Sequence, residues 1–377
     1  TAVKAPYGSD VVYHFHHRVA FLTLFLWLAH PIILAIRYPW ARSLFNIFQG
    51  SWTTRWGVLA VLFMLALVLL SILRRQLKTE YVAWRIGHGV LAVLAMLAVM
   101  VHAYLIGRYI GTPLKHALWL AYGAVSVALV AYLRVFKPWQ MLRRPYRVVA
   151  VRPERGAIWS LALEPVGHAG LRFEPGQFAW ITARHSPFAA HEHPFSFSSS
   201  SERHDTVEFA IKELGDFTAT IHDLPAGLQV YVDGPYGAFS PDRHSDANHL
   251  MLIAGGSGIA PMMSILRTMV DRGDTTPVTL LYGTWDWESA GFREELAALQ
   301  NRLNLRVVHT VEHPPEGWQG ETGYVTRDML ARYLPGDRAG LRVYLCGPIG
   351  MLDAVEPALE SLGVPAARIH LERFDFA

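Results

Sequence analysis

Two stretches of the chain decide its fold: HFHHRVAFLTLFLWLAHPI at residues 14–32 and HGVLAVLAMLAVMVH at residues 88–102. Each is an apolar run with a histidine near either end. His16 and His30 are 14 residues apart, and so are His88 and His102. On an α-helix that separation leaves two rings about 40° apart in azimuth and roughly 21 Å apart along the axis. His17 to His30 departs by about 140°, and His14 fits worse. Two such helices side by side bring four imidazoles together as two pairs at two depths. One histidine in an apolar helix is ordinarily a hydrogen-bonded packing residue. Two pairs at equal spacing are what two six-coordinate b-type haems require, with His16 and His88 as one axial pair and His30 and His102 as the other.

Both stretches sit in an apolar first third. The chain has 377 residues, 52% of them hydrophobic and 17% charged, with a mean hydropathy of +0.21. A soluble domain carries about 25% charge. Apolar runs cover roughly 15–36, 57–73, 86–106 and 116–136, each close to the ~20 residues that cross a bilayer as a helix. Buried helices of a soluble bundle would also read this way, but four in succession argue for membrane spans. None has the flanks of a cleaved signal peptide. Arg74, Arg75, Lys78 and Arg85 lie between the second and third runs, and Arg134, Lys137, Arg143, Arg144 and Arg147 follow the fourth. Arg37, Arg42, Arg55, Arg108 and Lys115 occupy the other connections. The richer side predicts that the C-terminal part is cytoplasmic. Trp40, Trp52, Trp56, Trp84, Trp119 and Trp139 fall near run ends, as interfacial aromatics do. His116 opens the fourth run and reads as interfacial rather than as a ligand.

Composition excludes other classes. A net charge of +3 with no long basic run gives nothing to hold a nucleic acid. A single cysteine, Cys346, excludes an intramolecular disulfide framework and Cys-ligated zinc or iron–sulfur clusters.

From about residue 145 short alternating strands appear at Tyr146–Val151, Ile158–Glu164, Gln177–Thr182, Val207–Ile211 and Gln229–Asp233. They predict a small antiparallel barrel. Within it lies His193-Pro194-Phe195-Ser196-Phe197-Ser198-Ser199-Ser200. Lys212-Glu213-Leu214-Gly215-Asp216-Phe217-Thr218 then leads into a helix. Hydroxyls and backbone N–H groups at a glycine-containing helix start suit a pyrophosphate; a Ser-rich run alone reads equally as a loop. Near residue 250 strands begin to alternate with helices. Strand His249–Ala254 precedes Gly255-Gly256-Ser257-Gly258-Ile259-Ala260-Pro261, and strands are expected at Val278–Tyr282, Leu305–His309 and Arg342–Leu345. Strand, glycine turn and helix hold a dinucleotide phosphate, although Ala260 stands where a strict fingerprint has its last glycine. Cys346-Gly347-Pro348 follows the last strand, where ligands collect; Cys346 also fits a small packing residue. The boundaries predicted are 1–140 for a haem-binding helical bundle, 141–245 for the barrel and 246–377 for a Rossmann-like α/β domain.

In this order, the motifs resemble those of the ferric reductase and NADPH oxidase superfamily of transmembrane flavocytochromes. The resemblance covers essentially the whole chain. His-Pro-Phe-Ser at 193–196 is similar to that group's flavin motif, and the 255–261 and 346–348 segments match its nicotinamide half. The resemblance implies FAD, two haem b groups and NADPH or NADH as cofactors. It puts Ser196 at the flavin N5 and His193, with Pro194 and Phe195, along the cofactor's diphosphate or ribose. Ser198, Ser199 and Thr218 would hold its remaining phosphate and adenine side, while the helix start at Gly215 suits the pyrophosphate, to which Lys212 adds charge. Gly255, Gly256, Gly258, Pro261, Gly347 and Pro348 would bind the nicotinamide cofactor, with Cys346 near its ring. Phe374, or else Phe376, would cover the isoalloxazine. Arg18, Arg75 and Arg85 are candidate propionate partners. The superfamily's usual six helices imply two ahead of Thr1, and Tyr282-Gly283-Thr284-Trp285-Asp286 lacks the arginine expected for NADPH, which leans toward NADH.

The implied activity takes electrons from NAD(P)H outward to oxygen, giving superoxide, or to a ferric chelate. Leu34 stands one turn past His30, where animal-type oxidases tend to carry a histidine. The implied setting is a bacterial inner membrane, with lipid and a small-molecule acceptor as partners and no obligatory protein partner. The rival readings are a cytochrome subunit feeding a periplasmic protein, and a soluble flavin reductase on a mere anchor.

Overall fold

The computed structural model describes residues 9–39, 41–42, 50–74, 76–108, 110–189 and 191–373. Trp40, Arg75, Phe374 and Phe376 lie outside the described residues. The chain divides into two compact units, one of Val12–Trp139 and one of Gln140–Pro187 with His191–Ala377.

The first unit is helical: α1 (Ser9–Arg37), α2 (Trp52–Leu73), α3 (Tyr81–Ile106) and α4 (Pro113–Ala131). A π-helical turn at Tyr132–Phe136 carries α4 into α5 (Lys137–Arg143). All four long helices are long and apolar enough to cross a membrane, and little of their surface is buried within the unit. Phe15, Phe25, Ile36, Val125 and Leu118 all point outward. A helix apolar all round is at home in lipid, not in water. Arg37 over Tyr38, Arg55 over Trp52, and Arg74 over Tyr81 and Trp84 place cation–aromatic pairs at helix ends, where interfacial anchors belong. α2 and α3 are the closest-packed pair of helices. α1 reaches them through Leu24 and Trp27, which pack on Met64, Leu67 and Val68.

The second unit begins with an antiparallel six-stranded sheet: β1 (Tyr146–Pro153), β2 (Ile158–Pro165), β3 (Phe178–Ala183), β4 (His193–Ser196), β5 (Val207–Lys212) and β6 (Gln229–Tyr236). Its order is β4-β3-β6-β1-β2-β5. A bridge from Phe197, just past β4, to Phe209 of β5 joins the two edges, which closes the sheet into a barrel. Phe173, Phe197, Phe209, Leu161, Leu163, Ile181 and Val230 fill it.

A parallel sheet follows, in the order β10-β9-β8-β7-β11-β12. Its elements are β7 (His249–Gly255), α6 (Ile259–Arg272), β8 (Val278–Asp286), α7 (Arg293–Leu299), β9 (Leu305–His313), β10 (Glu321–Thr322), α8 (Arg327–Tyr333), β11 (Leu341–Cys346), α9 (Ile349–Ser361) and β12 (Ile369–Glu372). α6 and α7 cover one face, α8 and α9 the other. Strand order runs outward in both directions from β7 and β11, so the crevice between their carboxyl ends is the switch point where α/β sheets bind ligands.

Several elements differ from the sequence expectation. β8 and β9 continue four residues beyond their apolar runs, as Thr284 pairs with Val311 and Asp286 with His313. The His193–Ser196 motif is itself a strand, paired with β3. The helix expected after the 212–218 segment is the 3-10 helix Thr218–Asp223.

Candidate functional site

In the helical unit the four expected histidines stand as two pairs. His16 and His88 face each other with ring centroids 6.3 Å apart. Metal–imidazole bonds of about 2 Å place two axial rings with centroids about 6 Å apart. His30 lies in the neighbourhood of His102. The second nitrogens of the α3 rings are engaged. His102 Nδ1 lies 2.8 Å from the Thr53 carbonyl, and His88 Nδ1 lies 3.1 Å from Ser71 Oγ. A ring oriented through one nitrogen presents the other to a metal. A Cβ at Gly57 would fall 2.6 Å from His102 Cε1, so α2 is notched where that ring rests. These residues fit a pair of bis-imidazole haems. His116 is taken up by Tyr104, ring to ring at 5.8 Å.

On the barrel, Ser196 ends β4 with its Oγ buried and without a hydrogen-bond partner among the described residues. A buried hydroxyl left unpaired costs about 1–3 kcal/mol, so a group bound beside it would repay the fold. His193 stacks on Phe217 at 3.9 Å, and Phe195 lies 6.0 Å from the same ring. The 212–218 turn therefore closes against β4. Thr218 Oγ1 accepts from the Leu214 and Gly215 N–H groups and donates to the Gly215 carbonyl. Its hydroxyl shapes the turn, while Gly215 faces open space. Ser198 and Ser199 are turned toward α6: Arg267 donates to the Ser198 carbonyl at 2.8 Å and Ser264 to the Ser199 carbonyl at 2.8 Å.

The nicotinamide motifs interlock at the switch point. A Cβ on Gly258 would strike the Cys346 carbonyl, and one on Gly255 would meet Pro348 and Met351. Gly256 has φ +52°, a left-handed conformation that glycine adopts without strain. Pro261 is buried in the first turn of α6, where its missing N–H costs nothing. The turn thus leaves backbone N–H groups facing the crevice at the start of a 14-residue helix, an anion-binding arrangement. Lys212 reaches here from the barrel. Its Nζ stands 3.6 Å from where a Gly256 Cβ would be, so its charge serves both halves of the cleft.

Cys346 is fully buried, and burial raises its thiol well above the usual range, with the Glu372 carboxylate adding to the effect. Glu372 lies opposite Cys346 in the β11–β12 register and is itself buried. Sequence reading passed over it, because a lone acid in a C-terminal tail carries no signal until the strand is paired. The same is true of Ser71 and of the Thr53 carbonyl. Arg267 was also missed; it donates to Glu295 at 2.7 Å through both Nε and Nη2 and to Glu208 at 3.2 Å.

Comparison with known proteins agrees with this geometry. Residues 3–99 match the ferric reductase like transmembrane component, 162–240 the FAD-binding domain and 252–357 the oxidoreductase NAD-binding domain. The chain is a ferric-reductase-type membrane component fused to FAD-binding and NAD-binding domains. This membrane flavoprotein is similar to NADH-cytochrome b5 reductase 1 of Pyricularia oryzae, at 35% identity over 45% of this chain and 57% of that protein. It is 32% identical to the reductase component of propane 2-monooxygenase from Rhodococcus jostii, over 60% of this chain and 62% of that one. The chain thus spans little more than half the length of these curated relatives. Among solved structures, the cytochrome b5 reductase domain of Ulva prolifera nitrate reductase shares the fold with a TM-score of 0.54 at 23% identity, covering 62% of this chain and 98% of that one. The ferredoxin reductase of carbazole 1,9a-dioxygenase gives 0.54 at 27% identity, over 61% of this chain and 69% of that one. The second unit of this chain thus carries an FAD-binding domain followed by an oxidoreductase NAD-binding domain.

Proposed function

We propose that this flavoprotein moves electrons from cytoplasmic NADH or NADPH, through FAD and two b-type haems, to a small acceptor on the far side of the membrane. The observation that carries the reading is the pairing of His16 with His88 and of His30 with His102 on two apolar helices. FAD would supply the exchange between a hydride's electron pair and single electrons, and haem iron held by His16 with His88 and by His30 with His102 would supply outer-sphere one-electron transfer.

The chain's own groups do the positioning. With the cofactors bound, Gly255–Gly258 and Lys212 would hold the dinucleotide's phosphates, Cys346 and Glu372 would back the nicotinamide site, and Ser196 Oγ would hydrogen-bond the flavin edge. β8 ends in Thr284-Trp285-Asp286, with a carboxylate where a 2′-phosphate would need a cation, which favours NADH. Of the two acceptors, a ferric chelate is favoured over oxygen: Arg37, Arg108 and Lys115 attract an anion, and Leu34 occupies the position one turn beyond His30.

The test is the full-length protein in detergent. Pyridine haemochrome analysis should give two protohaems per chain, and NADH under anaerobic conditions should reduce both flavin and haem. His30→Ala should lose one haem and keep flavin reduction. A haem-free preparation, expressed with haem supplied, would refute the reading. Ferrous-chelator colour against superoxide-dismutase-sensitive cytochrome c reduction distinguishes the acceptors.

A further inference from the structure

Of the four long helices, α2 alone carries no histidine, yet it supplies a hydrogen-bond partner to each α3 histidine. At one end the Thr53 carbonyl lies 2.8 Å from His102 Nδ1. A carbonyl only accepts, so that nitrogen bears the proton. At the other end Ser71 Oγ donates its one hydrogen to the Leu67 carbonyl at 2.7 Å. It therefore meets His88 Nδ1, at 3.1 Å, as an acceptor. Both α3 rings consequently hold their proton on Nδ1 and keep the Nε2 lone pair for a ligand. A serine in an apolar helix commonly bonds the carbonyl four residues back and does nothing more. Here that bond is what fixes the direction of the second one.

We propose that α2 is the positioning helix of the metal site and that Ser71 is the positioning residue for His88. It locks the ring's tautomer and makes the coordinating nitrogen more basic. The proposal rests on the haem reading above. The two layers differ in kind: the His102 partner is backbone, which no substitution removes, whereas the His88 partner is a side chain. Only the His16/His88 layer can therefore lose its hydrogen-bond partner through a single exchange on α2, and in that exchange the other layer serves as an internal control.

The experiment uses Ser71→Ala and Ser71→Thr in the full chain, with wild type alongside. Haem content, the midpoint potential of each haem and the ferric low-spin electron paramagnetic resonance signals are recorded. Ser71→Ala should weaken retention of one haem by about tenfold, raise its potential and shift its signal, with the other haem unmoved. Ser71→Thr should restore all three. Identical spectra and potentials in Ser71→Ala, or equal changes in both haems, would overturn the proposal. Nitrogen-15 shifts of the histidines in haem-free protein test it independently. His88 should be protonated at Nδ1 in wild type and mixed in Ser71→Ala, and a mixed tautomer in wild type overturns it. Absence of haem from wild type refutes the functional reading, whereas haem indifferent to Ser71 refutes only this proposal.

Discussion

Gly258 and Cys346 meet backbone to backbone, so closely that no side chain fits on the glycine without striking the cysteine's carbonyl. The turn after β7 and the turn after β11 are therefore one structural object, although 88 residues separate their defining positions.

Gly258→Ala should force the two turns apart. Overpacking of this kind costs about 1–3 kcal/mol. The expected outcome is a lower melting temperature and a KM for NADH raised at least about tenfold, with FAD content unchanged. Steady-state ferricyanide reduction and thermal melts read these effects.

Cys346 should resist alkylation in the native protein. It is fully buried and its thiol stays protonated, since burial raises its pKa. Iodoacetamide at neutral pH should label it only after denaturation, as read by intact mass. Rapid labelling of the native chain would contradict the packing at β11.

Ser196→Ala should separate stability from activity. Removing a buried hydroxyl that has no partner among the described residues should leave the FAD-free protein as stable as before, or more stable by up to about 1 kcal/mol. NADH-dependent flavin reduction, followed by stopped flow, should slow by about tenfold or more.

Acid should destabilise the nicotinamide domain through His309 and His370. Burial lowers both to about 4, so the fold holds them neutral. In the unfolded chain such rings protonate near pH 6.5. Above that pH neither state carries the extra proton and stability is complete. As pH falls from about 6.5 toward 4 the unfolded state binds protons that the folded state excludes, and stability is lost. His309 Nδ1 is buried with no hydrogen-bond partner among the described residues, so His309→Phe should reduce the slope of melting temperature against pH across that window.

NADH should be preferred to NADPH by about tenfold or more in kcat/KM, since Asp286 stands at the carboxyl end of β8. Parallel titrations with the two nucleotides check this.

Much of this architecture was legible because its signals are local. The apolar runs were long enough to read as spans, and the histidine spacing gave two layers. The glycine turn followed an apolar strand. What escaped depends on pairing. β4 contains Pro194, which lacks an N–H and reads poorly as a strand, yet it lies at an edge of the sheet order where proline is tolerated. β12 is four residues long and gains its meaning only from its parallel register with β11. The polar ends of β8 and β9 lack the apolar alternation that marks a strand. Lys212 was singled out in the sequence for its charge, but its position beside Gly256 could not be read there. Thr218 read as a phosphate ligand because its type fits, whereas its hydroxyl is spent on its own turn.

Arg267 has one further consequence, for anyone wishing to exchange modules. Its guanidinium, on α6, is shared between Glu208 and the Ser198 carbonyl of the barrel and Glu295 of its own domain. The group is only partly buried, so stranding one member costs less than the roughly 3–5 kcal/mol of a fully buried pair. A chimera that grafts a foreign nucleotide half onto this barrel would have to carry the arginine and both glutamates as a set, or accept a seam that opens.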